Sequence, residues 1–276
     1  MRKLGIIAEI GWNHMGNMEL AEEMILAAQL AGATTVKFQF WDPELLRAGS
    51  WDTDGRREIY NKAKLSVEHV LRLKAIAEKN NCEFLISVFG TKGARKIFDL
   101  GIDKVKIPSH EIANRSLLKF CSLNFKEVIV SSGASKVSEV KEALSILRSG
   151  QAHYNIMHCV SAYPCKPEDI NLPRINWLKS LHNDVGFSDH TGSTVIPVTA
   201  VCLGCNLIEK HFTTDKSLPG RDNKFALNPK EFKEMVLNIR EAESGLMPRG
   251  EEFQFIERDI VENYRGRWEP HDYEKK

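Results

Sequence analysis

Eight short apolar runs, rich in β-branched and aromatic residues, alternate with amphipathic stretches along most of the chain, and this alternation limits the folds open to it. The runs cover residues 4–10, 35–40, 82–89, 104–108, 127–131, 154–160, 185–188 and 206–212. Between them, residues 19–31, 67–79, 91–100, 138–147 and 194–202 carry apolar side chains at helical spacing, and 230–243 follows the last run. Strand and helix in turn make a parallel sheet covered by helices, and eight strands are enough to close a barrel. The 276 residues suit one such barrel, which typically takes about 250. The competing open, doubly wound sheet wants a glycine-rich phosphate turn after an early strand. The first turn here reads EIGWNHMGN, without G-x-G-x-x-G. The sequence therefore predicts an α/β fold: a (β/α)8 barrel over residues 1–245 as a single domain, and a short C-terminal tail over 246–276.

Local signals agree with these boundaries. Gly32, Gly101 and Gly204 each stand just before a strand, where a helix-ending glycine belongs. Asn228-Pro229 reads as a helix cap followed by a first-turn proline. The tail mixes proline, glycine and alternating charge, with Phe253, Phe255, Tyr264 and Trp268 as candidate anchors on the barrel. Its Arg249, Arg258, Arg265 and Arg267 would suit a cover for the barrel mouth, but peripheral packing is the plainer expectation for a terminal segment.

Charge and cysteine content exclude several classes. A formal net charge of +1 supplies no field for nucleic acid or an anionic membrane. The apolar run after Met1-Arg2-Lys3 is too short for a secretory leader, and no stretch approaches a membrane span, so the cytoplasm is expected. The six cysteines lie mostly in apolar surroundings. Cys202 and Cys205 form a lone C-x-x-C that reads as two small residues at a helix end.

In such a barrel the chemistry sits where strands end. The ends supply Glu9, Asn13 and His14; Lys37 and Gln39; Ser87; Lys106, Ser109 and Glu111; Ser131 and Ser132; His158, Ser161 and Tyr163; Ser188, Asp189 and His190; and Glu209, Lys210 and His211. Lysine is rarely buried unpaired, yet Lys37 and Lys106 interrupt apolar strands. Two such lysines flanked by serines look like an anion site, the lysines as point charges and the hydroxyls completing a cradle. His190 and His211 fall on the last two strands. Two histidines alone are more often hydrogen-bonded structure than a metal site. The nearby Glu9, Asp189, Glu209 and Asp222 shift the reading towards a divalent ion with mixed nitrogen and oxygen ligands, manganese or magnesium rather than structural zinc.

The segments IAEIGWNHMGN, TTVKFQF, KVKIPSHEIAN, IVSSGAS, IMHCVSAYP, VGFSDHTG, LIEKHFTTD and PGRD occur in an order and at spacings that resemble the N-acetylneuraminate (sialic acid) synthase family, from about Ile6 to Phe232. The resemblance implies a barrel enzyme that condenses phosphoenolpyruvate with N-acetylmannosamine or a related amino-sugar aldehyde, with a divalent metal: Mn2+, or Mg2+ or Co2+ in its place. It implies that His190 and His211 hold the metal. Lys37, Ser87 (where the family usually has threonine), Lys106, Ser109, Ser131 and Ser188 would bind phosphoenolpyruvate. Glu9, Gln39, Tyr163, Glu209 and Asp222 would line the sugar side, with Glu111, Glu9 and Lys37 closest to the chemistry. The family usually carries a C-terminal antifreeze-like domain that reaches the partner subunit's site. No matching segment follows this barrel, so a homodimer or a separate lid-bearing protein is an expected partner. A related synthase for a different aldose, and a non-catalytic barrel that binds without turnover, are the rival readings.

Overall fold

The computed structural model describes residues 4–269. Its centre is a closed barrel of eight parallel strands in chain order, β1-β2-β3-β4-β5-β6-β7-β8. These are β1 Gly5–Gly11, β2 Thr35–Phe40, β3 Glu83–Val88, β4 Lys104–Ile107, β5 Glu127–Ser131, β6 His153–His158, β7 Val185–Asp189 and β8 Leu207–His211. Closure comes from β8 pairing with β1, Glu9 opposite His211. Nine helices surround the strands among the described residues: α1 Met18–Leu30, α2 Arg56–Lys62, α3 Val67–Lys79, α4 Gly90–Asp99, α5 Arg115–Asn124, α6 Val137–Arg148, α7 Arg174–Leu181, α8 Ile196–Cys202 and α9 Pro229–Gly245. The expected (β/α)8 barrel is therefore present.

The side-chain alternation of a strand sorts residues into two cores. One face meets the helices in a continuous layer that includes Ile6, Ala8, Ile10, Phe38, Ile86, Val105 and Phe187. The other face fills the barrel with a small plug of Ile7, Leu85, Ile129, Met157 and Leu207. Above the plug the inward positions turn polar, and that is where the site lies.

Helix ends follow the local sequence. Asn228 caps α9 by accepting from the Glu231 amide at 3.0 Å, and Glu231 returns the bond to the Asn228 amide. The glycines expected before strands, Gly32, Gly101 and Gly204, have φ of +98°, +74° and +87°, a region other residues enter at a cost. The periodicity does not single out α2, α5 or α7. Two of these, α2 and α7, are under nine residues, and α2 buries no side chain, so neither offers an apolar stripe long enough to read. All six cysteines are free, and Cys202 and Cys205 do stand at the end of α8.

The tail departs from expectation. Phe253, Phe255, Tyr264 and Trp268 are exposed rather than anchored on the barrel. α9 runs down the barrel wall until Arg240 donates to the Leu4 carbonyl at the foot of β1 (3.3 Å), so the tail departs from the face opposite the strand ends. Among the described residues no helix is long and apolar enough to cross a membrane.

Candidate active site

Above the apolar plug, inward side chains from six strands form one buried ionic cluster. Glu209 on β8 is its hub. Its Oε2 takes Lys106 Nζ from β4 at 2.8 Å and lies 3.4 Å from Lys37 Nζ of β2, and its Oε1 accepts from Ser188 of β7 at 2.8 Å. Lys37 also donates to Ser87 of β3 at 3.1 Å and faces Glu9 Oε2 of β1 at 3.1 Å. Glu9 Oε1 accepts from Gln39 Nε2. Lys106 is 1% exposed, Lys37 4% and Glu9 1%, so these charges have left bulk water and depend on one another. Burial opposes the charge on Glu209, but Lys106 and Lys37 overcome it and hold the carboxyl far below its ordinary range. Burial likewise opposes charge on Lys37, and Glu209 and Glu9 outweigh it, so Lys37 stays protonated. Glu9 is pushed up by burial, and Glu209 adds to the shift against the pull of Lys37. Two buried lysines thus face one firmly ionised carboxylate, Glu209, and one whose charge burial opposes, Glu9, an arrangement that suits an incoming anion.

A second group stands beside it at the ends of β6, β7 and β8. The rings of His190 and His211 are 5.5 Å apart between centroids. Tyr163 lies over His190 at 4.1 Å, and Phe225 packs on His211 at 5.0 Å. His190 Nδ1–H donates to the Val160 carbonyl at 2.6 Å, which leaves its Nε2 lone pair free. His211 Nδ1 is buried without a hydrogen-bond partner and lies 3.6 Å from Asp222 Oδ2. Burial holds both imidazoles neutral, His190 at about 4 and His211 well below the ordinary value, where the neighbouring His190 adds to the effect. Two neutral imidazoles, one fixed by a backbone carbonyl and one with an orphaned nitrogen beside a carboxylate, fit a divalent cation. Among the described residues no set of three or more His, Cys, Asp or Glu side chains is arranged to hold an ion by itself.

A third group joins the loops after β4, β5 and β6. Ser109 Oγ accepts from the Gly133 amide at 3.0 Å and sits 3.0 Å from Cys159 Sγ. A side chain on Gly133 would meet Ser161 Oγ at 2.4 Å and Cys159 Sγ at 2.5 Å, so this corner has no room for one. Ser131 ends β5 in the same region, buried.

The structure thus gathers most of the expected residues at one mouth, with adjustments. Glu209, grouped with the sugar by resemblance, has both carboxylate oxygens engaged by Lys37, Lys106 and Ser188 within the ionic cluster. Glu111, in the turn after β4, accepts from Asn114 Nδ2 at 2.7 Å, and that bond orients it from the head of α5. The strand-end polar residues do not all converge. His14, His158, Ser132, Asp189 and Lys210 occupy the alternate, outward positions or the loops behind them. Lys210 pairs with Asp189 and donates to the Thr191 carbonyl at 2.6 Å, and His158 bonds the Ile170 carbonyl at 2.7 Å. These are buried structural bonds behind the wall. Trp12, Cys159, Gly133 and Phe225 were not expected at the site. Trp12 stood in plain view within EIGWNH, but a lone aromatic carries no spacing signal.

Comparison with known proteins agrees with this arrangement. The NeuB family model matches residues 24–249. The chain is 34% identical over 258 residues to the N,N'-diacetyllegionaminic acid synthase of Legionella pneumophila, spanning 87% of this chain and 72% of that protein. It is 38% identical over 253 residues to the spore coat polysaccharide biosynthesis protein SpsE of Bacillus subtilis, spanning 87% and 68%. The crystal structure of N-acetylneuraminic acid (sialic acid) synthetase from Leptospira borgpetersenii superposes with a TM-score of 0.84 at 32% identity, covering 95% of this chain and 91% of that one. A barrel with this ionic cluster, this histidine pair and these relatives belongs to the NeuB family.

Proposed function

We propose that the protein joins phosphoenolpyruvate to the aldehyde of an amino sugar, N-acetylmannosamine or a related N-acylated hexosamine, giving a nonulosonic acid and inorganic phosphate. The observation that carries this reading is the buried Lys37–Glu209–Lys106 cluster directly beside the His190–His211 pair. One half suits a small, multiply charged anion, and the other suits the carbonyl oxygen that must accept negative charge.

In this reading Lys37 and Lys106 neutralise the phosphate and carboxylate of phosphoenolpyruvate, and Ser87, Ser109, Ser131 and Ser188 complete the cradle. Glu9, Gln39, Tyr163 and Asp222 orient the sugar so that its aldehyde carbon faces the enol carbon. The enol carbon forms the new C–C bond, and the aldehyde oxygen takes a proton to become a hydroxyl. Water then adds to the cationic enol-derived carbon; Glu111 takes one proton from it, which balances the proton gained by the aldehyde oxygen, and the C–O bond to phosphate breaks as the second proton leaves with the phosphate, giving a ketone. His190 and His211 would hold Mn2+, which supplies Lewis acidity for the aldehyde oxygen when bound. The test is phosphate release from phosphoenolpyruvate over a panel of aldoses, with Mn2+ and after chelation. Release with N-acylated hexosamines and not with simple aldoses is expected. No release with any aldose, metal present, would overturn the reading.

A further inference from the structure

The rim of the barrel carries one aromatic ring at the end of each of its first four strands: Trp12, Trp41, Phe89 and His110. Successive rings touch. Centroids lie 6.0 Å apart for Trp12–Trp41, 6.0 Å for Trp41–Phe89 and 5.4 Å for Phe89–His110. They make a continuous arc along the β1–β4 side of the mouth. Tyr60 of α2 backs the arc, 5.3 Å from Trp12, and its carbonyl accepts from Trp41 Nε1 at 3.0 Å.

Trp12 differs from the rest of the arc. Trp41 is buried and spends its N–H on a backbone carbonyl, as a packing residue does. Trp12 is half-buried, and its indole N–H reaches to Asp222 Oδ2 at 2.7 Å, beside the histidine pair. Gly11 makes this placement available. β1 carries an irregularity between Glu9 and Gly11, and Gly11 takes φ +56°, which turns Trp12 out of the strand and over the mouth. A side chain on Gly11 would come within 3.0 Å of Glu9 Oε1 and 3.1 Å of Gln39 Nε2, so the turn is also sterically tied to the ionic cluster.

We infer that Trp12 is a specificity-determining residue for the sugar half of the reaction. This inference rests on the synthase reading above for the identity of the second substrate. The indole N–H occupies one oxygen of Asp222 and aims the other at a sugar hydroxyl. The ring, backed by Trp41 and Tyr60, is a wall for the apolar side of the sugar, where an N-acyl methyl or a C–H face gains by contact and a bare hydroxyl does not. The preferred acceptor is therefore an N-acylated hexosamine over the same ring without the acyl group.

The test is binding measured by calorimetry on the full chain in buffer with Mn2+, using N-acetylmannosamine, mannose and phosphoenolpyruvate in turn. Trp12→Leu removes wall and pin, and should weaken N-acetylmannosamine roughly tenfold, mannose only by the roughly threefold share of the pin, and phosphoenolpyruvate not at all. Trp12→Phe keeps the wall and loses the pin, with roughly a threefold loss for either sugar, and it carries the test if the leucine variant does not fold. Unchanged sugar affinity in a normally melting variant overturns the assignment. So does an equal loss for all three ligands, which is the mark of a merely structural residue. Because binding is read without turnover, the two readings separate: a wild type that prefers N-acetylmannosamine through Trp12 yet releases no phosphate would sink the synthase reading and support this one.

Discussion

Lys104 and Lys106 leave the same strand towards the same barrel interior, two residues apart, and end in different solvents. Lys104 lies at the foot of β4, beneath the apolar plug. It faces a small open cavity with Glu83 and Asn206, and pairs with Glu83 at 2.8 Å and Glu127 at 3.5 Å. Water reaches it. Lys106 lies above the plug, 1% exposed, with Glu209 at 2.8 Å and the Met157 sulfur at 3.3 Å as its neighbours. Burial depresses its pKa and Lys37 adds to this, while Glu209 resists. An ion pair in water is worth little, whereas a pair in a dry interior is costly to assemble and strongly felt when one member changes. The same residue type on the same face is thus a solvated strut at one end of the barrel and, at the other, a lysine cut off from water that depends on Glu209.

The largest break in this comparison comes from Lys106→Met, which keeps volume and removes charge. Glu209 retains Lys37 and Ser188, so the fold should survive. Loss of one anion-stabilising group should cost turnover roughly 100- to 1,000-fold. Calorimetry should show phosphoenolpyruvate binding weakened at least about tenfold with the sugar unaffected. Unchanged phosphoenolpyruvate affinity would remove Lys106 from the anion site.

The next effect concerns the histidines, which lie above the plug but outside the ionic cluster. His211→Ala should weaken Mn2+ binding, read by the metal's paramagnetic resonance, and cut turnover on the order of 100-fold while the melting temperature holds. Chelation of the wild type should copy the loss, and restored Mn2+ should reverse it. Full activity after exhaustive chelation would end the metal assignment.

How far these neighbourhoods could be read from sequence follows from the same alternation. Every strand was legible within two residues, because apolar runs bounded by turn residues are a local signal. The placement of Lys37 and Lys106 inside apolar strands was legible, and a lysine so buried has to be met by negative charge, which Glu209 and Glu9 supply. Lys210 was not separable from them. LIEKHF carries Glu209, Lys210 and His211 in succession, and only the strand register reveals that Glu209 and His211 point in and Lys210 points out. Trp12 was illegible as a site residue for a related reason: its partner Asp222 lies 210 positions away, and no spacing rule links them. The tail aromatics misled in the opposite direction, since a run of apolar residues looks like an anchor whether or not a surface exists to receive it.

Lys210 therefore sharpens the comparison as a third kind of buried lysine, with the Asp189 carboxylate, the Thr191 carbonyl and the Thr191 hydroxyl around its ammonium. Its ligands are all supplied by the protein, so it has nothing to offer a substrate. Lys210→Met should lower stability by about 3 kcal/mol, read by urea denaturation, because Asp189 is left buried and unpaired. Adding Asp189→Leu should recover part of that loss. Phosphoenolpyruvate affinity should move far less than in Lys106→Met. A phosphoenolpyruvate defect as large as that of Lys106→Met would mean that the outward position is not insulated from the site.

The smallest effect is the sharpest control. Lys104→Met makes the same chemical change as Lys106→Met, on the same strand and the same face, with only the plug of Ile7, Leu85, Ile129, Met157 and Leu207 between them. Glu83 and Glu127 lose a cation but keep access to water, so the stability cost should stay under about 1 kcal/mol. Salt should shrink even that difference, since the cavity is open and its charges are screened. Phosphoenolpyruvate affinity and turnover should match the wild type within about twofold, an energy below the worth of a single net hydrogen bond. If Lys104→Met instead weakens phosphoenolpyruvate binding tenfold, charge at the foot of the barrel is felt at the mouth. The plug would then not be the electrostatic divider that its dryness implies, and the anion binding proposed for Lys37 and Lys106 would belong to the barrel as a whole.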